Sequence, residues 1–231
     1  MAADPAAAPG VADPERALAV AYAPPAARPA LTALWALDER LGTVVATTHE
    51  AMIGRIRLAW WREALERLDT ADPPAEPLLA SVAATILPRG VTGVDLAAIE
   101  GGWAALVDGA VPDAAAIAAH GAERGAPLFA AAAAILGDPG AGAPEAAALR
   151  AAGTGWVLAD LGHRLRDPAA RAEARRQAAA VLAAAPHRWP KAWRPLGALV
   201  ALARSDASIE TRAQGAPRRM ARMAWHGLTG R

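Results

Sequence analysis

The chain has 231 residues, with 24 Lys/Arg against 23 Asp/Glu, no cysteine and an apolar fraction of 54%. This length supports one continuous core, and the near-zero net charge offers no broad basic surface for general nucleic-acid binding. The absence of thiols excludes disulfides and thiolate metal sites, so the cytoplasm is the simplest expected address.

Alanine dominates the apolar share, and it combines the best helix propensity with the smallest side chain that still packs. No alternation of β-branched residues marks a strand, so the expected class is all-α: a single-domain helical bundle over residues 1–231, with a short flexible stretch at about 1–12. The opening residues are acidic where a signal peptide needs a positive region, and no apolar h-region follows. The longest apolar run, 128–136, is about half of the ~20 residues that a spanning helix needs. A soluble or membrane-peripheral chain is expected.

In chain order, Asp13-Pro14 has the form of an N-cap followed by Pro at the first helical position. Helices are then predicted over 29–45 and 50–68, the second ended by Asp72-Pro73-Pro74. Further helices are predicted near 76–87, 95–107, 113–136, 144–166, 168–185, 190–204 and 217–226. The Gly/Pro-rich run 137–142 reads as a short linker within one domain.

On the 50–68 helix, Ile53, Ile56 and Trp60 make one apolar stripe and Leu58, Trp61 and Leu65 a second, which predicts burial over much of its girth. Arg62 and Glu66 are spaced as a one-turn ion pair. Two D-x-x-x-E matches, Asp72/Glu76 and Asp206/Glu210, are expected to be solvated. His120 reads as an ordinary hydrogen-bonded or exposed histidine, with no acid or nucleophile set beside it by sequence.

The segments ARPALTALWALDERLGTVV and IGRIRLAWWREALERL resemble the first third of the squalene/phytoene synthase family, in which an Arg-led aromatic helix precedes an L-x-x-W-[RK]-x-x-[LV] helix. The resemblance implies an isoprenoid-synthase type of helical bundle. Enzymes of that family join two isoprenoid diphosphates, and aspartates on facing helices hold magnesium against the diphosphates. When WALDERLGTVVA is laid on the family's Y-A-F-x-R-x-x-D-D-x-x-D helix, the two metal-binding aspartates fall on Gly42 and Ala46. The segment GTGWVLADLGHRLRD is similar to the family's second motif helix, yet there the second aspartate becomes Arg171. The likeness is closest to a divergent branch lacking the aspartate motifs, which includes a mitochondrial complex I assembly factor.

The resemblance therefore implies a non-catalytic member with no cofactor, acting through protein or lipid contacts, with assembly of a membrane complex as one role. The alternatives are a divergent prenyltransferase, for which magnesium would be required, and an isoprenoid-lipid binding module. Arg57, Trp60, Trp61 and Arg62 are the candidate pocket or partner contacts. Asp160, His163 and Asp167 share a helix face and form a residual candidate metal site, although Asp160 is also spaced to pair with Arg164 and Asp167 to cap the next helix. The small residues of AAHGAERGAPLFAAAAAILG suit either close helix packing or a lipophilic cavity.

The stretch APRRMARMAWHGLTGR joins Arg218, Arg219 and Arg222 to Met220, Met223, Trp225 and Leu228. Such a basic amphipathic helix fits peripheral contact with an anionic surface such as the inner membrane, or a partner groove, but the favoured reading is a last helix with its apolar side on the bundle and its arginines in water.

Overall fold

The computed structural model describes residues 10–108, 111–137 and 143–230. Those residues form an all-α bundle, as the alanine-rich composition predicts. Helix α1 (Pro14–Tyr22) begins where the Asp13 side chain accepts from the Glu15 and Arg16 amides, with Pro14 at the first position. The long α2 (Arg28–Thr47) and α3 (Ala51–Arg67) follow. The Glu76 carboxylate caps α4 (Pro77–Thr85) by accepting from the Leu78 and Leu79 amides.

The helix predicted over 95–107 is two pieces, α5 (Gly93–Ala97) and α6 (Ile99–Ala104). The backbone stays right-handed through Ala98, so this is a kink in one path. It brings Gly102 so close to α7 (Ala114–Leu136) that a Cβ there would meet the Arg124 backbone. Helix α8 (Ala143–Arg164) precedes α9 (Pro168–Leu182), which Asp167 caps through the Ala170 amide. Helices α10 (Arg194–Asp206) and α11 (Pro217–Thr229) complete the order. Residues 138–142 of the predicted linker lie outside the described residues.

One hydrophobic core runs from Ala19 on α1 to Met223 on α11. Its middle is α2, which packs on α1, α3, α4, α6 and α7. Helices α7 and α8 cross with Gly125 against Gly153, where a Cβ on either would strike the other's backbone carbonyl. Of the two readings of the small-residue helix, this crossing is close packing.

One expectation needs correction. On α3, Leu58, Trp61 and Leu65 are buried, but Ile53, Ile56 and Trp60 are 45%, 63% and 46% exposed, with Met52 beside them at 72%. Only one stripe of α3 meets the core, so the second apolar stripe lies on the surface. Among the described residues no helix is long and apolar enough to cross a membrane.

Candidate functional site

Helix α2 carries Gly42 and Ala46, the positions that correspond to the family's metal-binding aspartates. Ala46 is exposed, whereas Gly42 faces inward against Trp103 of α6. A Cβ on Gly42 would sit 2.8 Å from Trp103 Cη2, so the indole occupies the room that a side chain would need. One turn earlier on the same face, Asp38 is fully buried.

Asp38 is held from three directions. Its Oδ1 accepts from Trp103 Nε1 at 3.0 Å and from Arg124 Nε at 2.7 Å. Its Oδ2 accepts from Arg124 Nη2 at 2.7 Å and from Arg16 Nη1 at 2.9 Å. The Arg124 bond pair is bidentate, the strongest common geometry for a guanidinium on a carboxylate. Burial pushes the Asp38 pKa up, but the Arg124 charge and hydrogen bonds, the Arg16 charge and the Trp103 indole outweigh it and hold the pKa down at about 2.

Both arginines are buried themselves and stack on aromatic rings. The Arg124 guanidinium lies 4.1 Å from the Trp103 ring centroid, and that of Arg16 lies 4.9 Å from Trp156. His120, one turn before Arg124, places Nδ1 2.6 Å from the Gly102 carbonyl and Nε2 3.2 Å from Arg124 Nη1. A neutral ring satisfies both contacts, Nδ1–H donating and Nε2 accepting. Burial and the neighbouring Arg124 charge depress its pKa to about 3. His120 thus orders the network, in line with the hydrogen-bonded reading of the sequence.

The charges continue across the bundle. Asp160 on α8 accepts from Arg164 Nε at 2.7 Å and from Arg212 Nη2 at 2.9 Å, with Arg16 4.0 Å away. Burial opposes ionisation of Asp160, yet Arg164, Arg16 and Arg212 hold its pKa far below the usual carboxylate range. Arg219 of α11 bridges Glu15 at 2.6 Å and Asp206 at 2.5 Å. Asp206 is therefore buried and paired, which corrects the expectation that it is solvated; Asp72 of the other D-x-x-x-E match is exposed, and its partner Glu76 caps α4. The void between α1, α8 and α10, lined in part by Arg16, Trp156, Asp160 and Arg212, measures about 10 Å³. That is room for roughly one water, against roughly 300–1,000 Å³ for a ligand pocket.

The residual trio is engaged separately. Asp160 serves Arg164 and Arg212, His163 Nε2 lies 3.1 Å from the Asp206 carbonyl oxygen, and Asp167 caps α9. Arg171, at the family's second aspartate position, donates to the Glu210 and Gly162 carbonyls. Among the described residues no three His, Asp or Glu side chains gather as metal ligands. With Gly42 and Ala46 lacking carboxylates, and both oxygens of Asp38 and of Asp160 accepting from arginine, the residues present do not fit a magnesium–diphosphate site.

The other candidate contacts lie on α3 and divide between its inner and outer faces. Trp61 is buried, and Trp60 stacks edge-on against it with centroids 5.2 Å apart while staying half exposed. Arg57 donates to the Thr48 hydroxyl at 3.0 Å, and Arg62 pairs loosely with Glu66 at 3.9 Å. Trp60, Ile56, Ile53 and Met52 form a continuous exposed face, from which Trp61 is excluded. Sequence reasoning missed Asp38, Arg16, Trp103 and Arg124. The available signal was an aspartate between Leu37 and Leu41 in an otherwise apolar helical face.

Comparison with known proteins gives one match, to the first part of the chain. Residues 11–99, which run from the cap of α1 to the start of α6, match the squalene/phytoene synthase family. No curated protein and no solved structure matches the chain. The stretch most like that family in its motifs, 28–68, lies inside the match, and the all-helical architecture agrees with the isoprenoid-synthase type.

Proposed function

We propose that this chain, with its squalene/phytoene synthase segment over residues 11–99, is a non-catalytic member that works through protein contacts, serving the assembly of a membrane complex. The observation that carries the reading is the Trp103–Asp38–Arg124 cluster. A prenyl-transfer site needs metal-binding carboxylates beside an apolar cavity. Here the buried carboxylate of Asp38, one turn before Gly42, is neutralised by two arginines, and an indole fills the space next to Gly42. Fixed guanidinium charges stabilise the carboxylate without leaving coordination positions open.

The contact surface is the face of α3 formed by Met52, Ile53, Ile56 and Trp60, with Arg57 and Arg62 on either side of Trp60 in the chain. Tryptophan and arginine are the residue types that most often anchor protein interfaces. Exposed apolar side chains in a continuous helical row are a common mark of such a surface.

The test has two parts. Diphosphate release from farnesyl or geranylgeranyl diphosphate with magnesium is expected to stay at the buffer rate. Crosslinked complexes from the native host should be lost with Ile56→Asp or Trp60→Asp while the fold is kept. Magnesium-dependent release would establish the divergent prenyltransferase instead. Prenyl diphosphate binding without turnover would establish an isoprenoid-binding module.

A further inference from the structure

We infer that the groove between the end of α9, α10 and α11, together with the outer face of α11, is a docking surface for an anionic phospholipid bilayer. This goes beyond the protein-contact role of α3 and rests on other residues. The near-zero net charge hides a strong asymmetry: residues 174–231 hold 11 Lys/Arg against 2 Asp/Glu, and residues 1–173 hold 13 against 21. A bilayer with anionic headgroups attracts such a basic end and repels the acidic remainder, which fixes an orientation.

Several cations of this end are already engaged. Arg212 and Arg219 serve Asp160, Asp206 and Glu15. Arg194 donates to the carbonyls of Gly227 and Leu228, and Arg204 to those of Leu182, Ala185 and Pro186. Arg188, Arg218 and Arg222 are exposed, and among the described residues none has a carboxylate partner. Two acids occur in this whole end; Asp206 is buried under Arg219, and Glu210 precedes α11.

Helix α11 turns one face to the bundle and the other to the surface. Met223 and His226 are buried against the bundle, so the helix is packed. Arg218, Arg222, Trp225 and Leu228 line the other face at helical spacing, with Trp225 65% and Leu228 76% exposed. Arginines followed by a protruding Trp and Leu suit the headgroup–acyl boundary, where the guanidinium meets phosphate and the indole sits at the interface.

Behind Trp225 opens a groove of about 570 Å³, bordered by His187, Arg188, Arg204 and Arg222. It adjoins a hollow of about 240 Å³ that shares His187 and Arg204 and is otherwise faced mainly by Ala179, Leu182, Ala183 and Ala207. A cationic mouth over a short apolar floor is complementary to a headgroup phosphate and the start of its acyl chain. The apolar floor and Leu228 have no counterpart in a phosphodiester strand, which favours a bilayer over nucleic acid.

The test is sedimentation of the full chain with phosphatidylcholine vesicles and with mixed phosphatidylcholine–phosphatidylglycerol vesicles. Pelleting is expected with the mixed vesicles alone, and it should weaken with added salt. Arg188→Gln with Arg222→Gln should lower partitioning roughly 25-fold, about fivefold for each arginine. Both side chains are exposed, so helical circular dichroism and the thermal midpoint should be unchanged. Trp225→Ser, which removes no internal hydrogen bond, should weaken binding independently. Equal pelleting with both vesicle types, no pelleting, full binding by the double variant, or tighter binding to single-stranded RNA or duplex DNA than to vesicles would each overturn the inference.

Discussion

A Cβ built on Gly42 lies 2.8 Å from Trp103 Cη2 and 3.0 Å from Cζ2. The ring cannot retreat freely, because its N–H donates to Asp38 and its face rests 4.1 Å from the Arg124 guanidinium. In open space Gly42→Ala would stabilise the helix by about 1 kcal/mol through propensity. Against the indole, overpacking costs about 1–3 kcal/mol, so the net expectation is a loss of up to about 2 kcal/mol. Gly42→Asp should lose more, since it also sets a carboxylate against the ring. Urea unfolding at pH 7 followed by circular dichroism reads this as a lower midpoint at constant slope. In a Trp103→Phe background the clashing atoms are gone, and Gly42→Ala should become neutral or stabilising, a coupling of about 1–3 kcal/mol. Stabilisation by about 1 kcal/mol in the unaltered chain, repeated unchanged in the Trp103→Phe background, would refute the filled centre and restore an open one.

Three further outcomes follow from the same contacts. Asp38→Asn leaves Arg16 and Arg124 buried without their shared counter-charge and should cost about 3–5 kcal/mol, read as a thermal midpoint roughly 6–20 °C lower. Acid should destabilise the fold from the histidines first: His120 and His226, held down to about 3 and about 4 chiefly by burial with help from nearby arginines, are neutral when folded and charged when unfolded. The unfolded chain therefore binds more protons below pH ~6.5, and stability should fall by up to about 1.4 kcal/mol per pH unit for each histidine until its folded pKa is reached. His120→Gln should remove one of these slopes in urea melts between pH 6.5 and 4, while Asp38, held down at about 2, adds loss only below pH ~3.8. Finally, Leu58→Ala on the inner stripe of α3 should cost about 2–5 kcal/mol, and Ile56→Ala on the outer stripe within about 0.5 kcal/mol, by the same melts.

Local features were legible in the sequence, and those set by distant partners were not. Asp13 before Pro14 and Asp167 before Pro168 are caps because the groups they satisfy lie two or three residues on. Asp160 and Arg164 pair within one turn, as their spacing implies. Asp38, in contrast, takes its charge partners from Arg16 and Arg124, which lie 22 residues before it and 86 after it. Asp206 read as solvated because Arg219, which buries it, sits on the following helix. The two apolar stripes of α3 carry equal weight in a periodicity argument, and only the position of α5 and α6 against Leu58 and Leu65 decides which is inside. The smallness of Gly42 was ambiguous for the same reason, since Trp103, which fills the room, comes 61 positions later.

The central claim, a closed and arginine-neutralised centre in place of a diphosphate site, meets its most direct test in calorimetric titration of the full chain with farnesyl diphosphate, with and without magnesium, while diphosphate release is followed in the same samples. The expected result is no magnesium-dependent heat and no release above buffer. Magnesium-dependent binding accompanied by release would contradict it.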